Sequence, residues 1–161
     1  VIAGQGTLGR EILSQLPGAD TLIVAIGGGG LIAGVAIAAK AIKPGIRIIG
    51  VEPIGAATLF ESLKAGHPVT LDRIETAAGT LAPRRSMAIN LAIVKESVDR
   101  IVLVSDAEMV AAARWLWFEQ SIAAELSGAA ALAALMTGRY VPQANESVVA
   151  IVCGAGTDGF A

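Results

Sequence analysis

The sequence predicts an α/β fold, a parallel sheet with helices on both faces. Two observations carry that prediction. Short runs rich in strand-forming residues, at 21–26, 47–51, 99–104 and 148–152, alternate with longer apolar stretches of helical length. The strand runs are mostly apolar throughout rather than alternating, as strands covered on both faces are. Helical crossovers between such strands make the sheet parallel.

Val1-Ile2-Ala3 reads as the tail of a strand, and the chain is expected to start within a domain. It runs into Gly4-Gln5-Gly6-Thr7-Leu8-Gly9, a complete G-x-G-x-x-G. A helix follows with Leu8, Ile12 and Leu16 on one face, and Pro17-Gly18 stops it. The next strand, Thr21 to Ile26, leads into Gly27-Gly28-Gly29-Gly30, and residues 31–39 form an apolar helix. Four successive glycines cost roughly 1 kcal/mol each against alanine in a regular element. A glycine loop before a helix start instead offers backbone N–H groups, with no Cβ in the way, to a phosphate.

Lys43-Pro44-Gly45 is a turn, and Arg47 to Val51 is a strand whose pairing Pro53 should end. Ala56 to Ala65 reads as a helix, with Leu59, Phe60 and Leu63 inward and Gly66 as its C-cap. His67 beside Pro68 reads as a solvated turn residue, and 72–83 as loop. Arg84 and Arg85 read as surface charges, with contact to an anion as the alternative. Ser86 is expected to cap a helix presenting Ile89, Ala92 and Ile93. Ser105-Asp106-Ala107-Glu108 is a capping box that starts a helix reaching Gln120. Its Trp115, Trp117 and Phe118 read as packing residues. Residues 121–127 are a break, 129–137 another apolar helix closed by Gly138, and 148–152 the last strand. In this arrangement Gly4–Thr7, Gly27–Gly30, Glu52, Ser105 and Cys153–Gly156 share the carboxyl edge of the sheet, where ligands of such folds bind.

The chain has 161 residues, the size of one domain, and a net charge of −2, which argues against nucleic acid as a partner. At 54% hydrophobic and 16% charged it is apolar for a soluble domain, as a piece of a larger protein would be. Cys153 is the only cysteine, which excludes an internal disulfide and fits a reducing, cytoplasmic setting. No basic-then-apolar leader opens the chain. Asp20 to Lys40 carries no charge between its ends, but the four glycines would break a membrane-spanning helix at its centre. No Lys-Ser or Lys-Thr follows the glycines, so a Walker loop is excluded. A dinucleotide fingerprint competes locally: Gly28-x-Gly30-x-x-Ala33, with Glu52 ending the next strand.

Taken in order, Gly4-Gln5-Gly6-Thr7, Gly27 to Gly34, Val51-Glu52-Pro53, Ala65-Gly66-His67-Pro68-Val69, Glu125-x-Ser127-Gly128-Ala129 and Cys153-Gly154 resemble the second half of the serine/threonine dehydratases. With serine racemase, these are fold type II pyridoxal-phosphate enzymes, whose fold is that of the tryptophan synthase β subunit. The resemblance covers essentially the whole chain and decides against the dinucleotide reading. It implies that residues 1–161 are part of a cofactor-binding large domain. The small domain and the Schiff-base lysine would lie in an N-terminal half not contained here. It implies that Gly27, Gly28, Gly29, Gly30 and Leu31 hold the phosphate of pyridoxal phosphate, that Cys153 faces the ring nitrogen, and that Gly154 and Glu125 adjoin the cofactor. It also implies a small amino-acid substrate, no nucleic acid or membrane partner, and a homo-oligomer. The reaction implied is β-elimination of L-threonine or L-serine to a 2-oxo acid and ammonia. Racemisation, or a non-catalytic phosphate-binding module, is the alternative.

The departures are specific. In the family the glutamate of Val-Glu-Pro can bind a divalent cation with an acid six residues later. Glu52 is present, but the later position is Thr58, which leaves one carboxylate, a poor site for a hard cation. The family's Thr-Ile-Ala-Asp-Gly reads Thr76-Ala77-Ala78-Gly79-Thr80, and its Cys-Gly-Gly-Asn reads Cys153-Gly154-Ala155-Gly156.

Overall fold

A computed structural model describes residues 1–160. Four strands form one sheet: β1 (Thr21–Ala25), β2 (Arg47–Pro53), β3 (Arg100–Val104) and β4 (Val148–Ala150). Their spatial order is β3-β2-β1-β4, and every pair is parallel. The helices are α1 (Ile2–Gln15), α2 (Gly30–Ile42), α3 (Thr58–Ala65), α4 (Ala88–Ser97), α5 (Asp106–Gln120) and α6 (Leu126–Met136). Among the described residues no helix is long and apolar enough to cross a membrane.

The alternation of β1 side chains divides the core. Leu22 and Val24 join Ile48 and residues of α1 to α4 in one apolar layer. Ile23 and Ala25 join Ile49, Val51 and residues of α5 and α6 in the other. The sheet is therefore covered on both faces, which is why β1 is buried at every position. The chain moves outward from β1 through β2 to β3, then returns to lay β4 on the other side of β1. The order reverses between β1 and β4, and a crevice opens at the carboxyl ends of strands flanking such a reversal.

Several local expectations are corrected. Val1–Ala3 is not a strand tail: the helix begins at Ile2, and Gly4–Thr7 lie inside it, away from the strand edge. The reason is tertiary. A Cβ at Gly9 would come within 2.8 Å of the Val35 carbonyl, and one at Gly34 would collide with the Ile2 carbonyl and the Gly6 N–H. The glycines of α1 and α2 let two helix backbones touch. Leu16 of the expected inward face is exposed, and Leu13 is buried in its place. β2 runs two residues past Val51 and ends at Pro53, the last residue to pair, opposite Val104. Ser86 caps nothing: Met87 stands at the N-cap of α4, and the buried residues are Asn90, Leu91 and Val94, with Ile89 exposed. Of the three aromatics on α5, Trp117 packs on Phe160, while Trp115 and Phe118 lie exposed. The capping box is present as read: the Ser105 hydroxyl accepts from Glu108 N–H, and Glu108 accepts from Ser105 N–H. Gly66 and Gly138 close their helices at positive φ.

Candidate functional site

The glycine loop follows β1 without a break. Ile26 still donates its N–H to the Val51 carbonyl, and then the chain turns away. Gly29 is the N-cap of α2, at φ 90°, a conformation that side-chain-bearing residues rarely adopt. A Cβ there would also lie 2.7 Å from Leu59 Cδ1. At Gly27 a Cβ would meet the Thr80 carbonyl at 2.6 Å. At Gly28 it would meet nothing within 4 Å. No side chain caps α2, so its first-turn N–H groups are left for another acceptor.

A cavity of about 340 Å³ opens beside this loop at the reversal of strand order. Ala25 and Gly27 to Leu31 line one side, and Thr80, Leu81, Glu125, Ser127 and Cys153 line the rest. Seven of the eight residues expected around a cofactor, residues 27–31 with Glu125 and Cys153, thus meet in one cavity. The eighth, Gly154, is outside the lining. A Cβ there would collide with Glu125, and one at Gly128 would meet the Gly154 carbonyl at 2.5 Å. Gly154 therefore lets the segment after β4 lie against the start of α6.

Thr80, Leu81 and Ser127 were not among the expected site residues. The Thr80 hydroxyl donates to Glu125 Oε1 at 3.1 Å. Its loop is anchored from α5, where the two carboxylate oxygens of Asp106 accept from the Thr76 hydroxyl and the Ala77 N–H, each at 2.6 Å. The spacing of Thr76 to Thr80 marks this loop only through the resemblance, since no local pattern brings it to the glycines. The Cys153 side chain is exposed toward the cavity, yet the surrounding protein raises its pKa above the ordinary thiol value. Loss of water is the larger cause and repulsion by the Glu125 carboxylate the next. The thiol is therefore neutral at pH 7.

Glu52, expected to make a poor cation site, does not line the cavity. It is fully buried, and its two oxygens accept the N–H groups of Leu59 and Phe60, each at 2.8 Å. It caps α3 from the end of β2. Thr58, at the position of the missing acid, donates its hydroxyl to the Pro83 carbonyl at 2.7 Å. Among the described residues no group of three or more His, Cys, Asp or Glu side chains could hold a metal ion. Burial outweighs both N–H bonds and pushes the Glu52 carboxyl up to about 7.

The four lysines and Arg84 lie elsewhere. Lys40 and Lys43, at the far end of α2, pair with Asp99 and Asp20. Lys64 pairs with Glu61, Lys95 lies in the last turn of α4, and Arg84 donates to the Leu71 and Asp72 carbonyls. None of these residues lines the cavity.

The donor set fits a phosphate: glycine backbone, a helix start without a side-chain cap, and space above Gly28. Comparisons with known proteins bear on the family. Residues 1–154 match the family model described as "Pyridoxal-phosphate dependent enzyme". Phenylserine dehydratase of Ralstonia pickettii is 39% identical over 98% of this chain and 48% of its own length. A catabolic L-threonine dehydratase of Escherichia coli is 40% identical over 98% of this chain and 48% of its own. Maize serine racemase superposes with a TM-score of 0.88 at 39% identity, over 96% of this chain and 49% of that one. The chain spans about half the length of these relatives.

Proposed function

The chain belongs to the pyridoxal-phosphate-dependent enzymes, and from that premise we propose that it is the cofactor-holding portion of an ammonia-lyase acting on L-threonine or L-serine. The observation that carries the reading is the single cavity joining the glycine loop to Glu125 and Cys153 at the strand reversal. Pyridoxal phosphate, when bound, supplies an aldehyde that captures the amino acid and a ring that accepts charge from Cα. Residues 28–31 would hold its phosphate through backbone N–H groups at the positive end of α2. Cys153, kept neutral, would offer the ring nitrogen no full charge, a setting that favours expulsion of a β-hydroxyl. Glu125, fixed by Thr80, would border the ring from the start of α6.

Covalent capture needs an amine aimed at the aldehyde. Lys40, Lys43, Lys64 and Lys95 all lie away from the cavity, so a lysine from outside these 161 residues is required. The proposed chain alone therefore catalyses no elimination. Exposed Ile37, Met87 and Ile89 support association with further protein, in a cytoplasmic homo-oligomer by this reading.

The test is a chimera in which this chain replaces the matching half of the Escherichia coli dehydratase. Release of 2-oxobutyrate from L-threonine is expected, with none from the 161 residues alone. A chimera that racemises serine without elimination would favour the racemase. Turnover by the isolated chain, with cofactor trapped by borohydride on one of its own lysines, would overturn the division of labour.

A further inference from the structure

The loop that would hold the phosphate is itself held. Two side chains from one segment donate to the same backbone oxygen, the carbonyl of Gly28: Ser86 Oγ at 2.8 Å and Asn90 Nδ2 at 2.6 Å. Both residues are buried, 5% and 8% exposed, although each is polar. Burying two such groups is costly unless they are satisfied. Here one carbonyl satisfies both.

The geometry has a consequence for the next N–H. A trans peptide is planar, so its C=O and N–H point in opposite directions. Gly28 O is drawn toward Ser86 and α4. The N–H of Gly29, in the same peptide, is thereby turned away from α4. Gly29 lines the cavity that Thr80, Glu125 and Cys153 also line. Without the two donors, this peptide could rotate, because glycines flank it and no Cβ resists. Rotation would aim a carbonyl, not a donor, at an incoming anion.

We propose that Ser86 and Asn90 are positioning residues for an oxyanion cradle, fixing the Gly28–Gly29 peptide so that Gly29 presents its N–H, with Gly30 and Leu31, to a phosphate in the cavity. This rests on the reading of the glycine loop as the phosphate site. It adds two residues from a different part of the chain, neither of which touches the ligand. Two donors on one oxygen also make the arrangement tolerant: either alone biases the peptide, and both lock it. The segment that carries them follows the loop ending at Leu81, so a single stretch of chain walls the cavity and orients its donors.

The experiment uses the 161-residue chain labelled with 15N-glycine, titrated with inorganic phosphate. In the wild type, the amide resonances of Gly28, Gly29 and Gly30 should shift saturably. Ser86→Ala or Asn90→Ala should weaken phosphate about tenfold. The double variant should weaken it further and displace the Gly29 resonance even without phosphate. Ser86→Thr, which keeps the hydroxyl, should bind within about twofold of wild type. Gly6 and Gly9 of α1 report whether each variant is folded. Ser86→Ala removes one small hydroxyl and leaves the Asn90 bond, so it is the variant to read should the double one unfold. If the wild type binds and the folded alanine variants bind equally well, the positioning role is wrong while the phosphate site stands. If the wild type shows no shift in the glycine loop, the phosphate site fails and the cradle with it.

Discussion

The Thr80 hydroxyl donates to the Glu125 carboxylate at 3.1 Å, so the loop before α4 and the residue that opens α6 share one hydrogen bond beside Cys153. Glu125 is one of two influences that raise the Cys153 thiol pKa, the other being loss of water. Glu125→Gln removes the repulsion and leaves the burial. The thiol midpoint should fall, and alkylation by iodoacetamide should become faster at pH 8. Cys153 is the only cysteine, so the pH profile of alkylation reads this thiol alone. An unchanged profile would show that Glu125 does not act on Cys153.

Adjacent glycines should respond differently to alanine. Gly28→Ala places its methyl in open space and should leave stability nearly unchanged, within about 0.5 kcal/mol. Gly29→Ala meets both a positive φ and Leu59, and should cost on the order of 1–3 kcal/mol. Gly28→Val is bulkier still at a residue that lines the cavity, and it should weaken pyridoxal phosphate more than tenfold in the chimera with the Escherichia coli dehydratase. Urea unfolding and cofactor titration separate the two effects.

Glu52 makes stability depend on pH in a definite direction. Its folded pKa, about 7, lies above its ordinary 4.5, so the folded chain holds the proton more tightly than the unfolded one. Its contribution is full below pH 4.5 and is lost as pH rises through 7. The loss approaches the order of 3 kcal/mol. Wild type should therefore weaken relative to Glu52→Gln between pH 5 and pH 8, measured by urea unfolding. A difference that does not change with pH would contradict the assignment.

Divalent cations should not stabilise the chain. Both Glu52 oxygens are committed to N–H donors, and Thr58 replaces the second acid. Millimolar Mg2+ or Ca2+ should leave the Tm within about 1 °C. A saturable rise would mean that the ion displaces the helix cap.

Ser105→Ala removes a cap whose box is complete, and it should cost about 1 kcal/mol in a denaturant titration.

What the sequence revealed follows from which interactions are local. The apolar runs of β1 and β2, the capping box at Ser105 and the helix-ending Gly66 announce themselves within a few residues. So does the glycine loop, because four glycines have no other economical use. The first G-x-G-x-x-G was misleading because its pattern is the same whether glycines turn a loop or let a helix touch its neighbour. Only the presence of Gly34 on α2 decides, and that is 28 residues from Gly6. Ser86 was read as a cap, and Asn90 was not singled out, for a related reason. Ile89, Ala92 and Ile93 form an apolar stripe as regular as Leu91, Val94 and Val98. The wrong stripe put Asn90 in water. An asparagine four residues after a serine, between Ile89 and Leu91, was the one available signal.

The contact between α1 and α2 has a mechanical consequence. Interfaces built from side chains can creep, because rotamers exchange and one packing becomes another. Where Gly9 meets the Val35 carbonyl and Gly34 meets Ile2, there is no rotamer to exchange. The two helices are geared together and must travel as one stiff body. The first turn of α2, which opens at the glycine loop, is therefore tied to α1 through backbone rather than through exchangeable side chains.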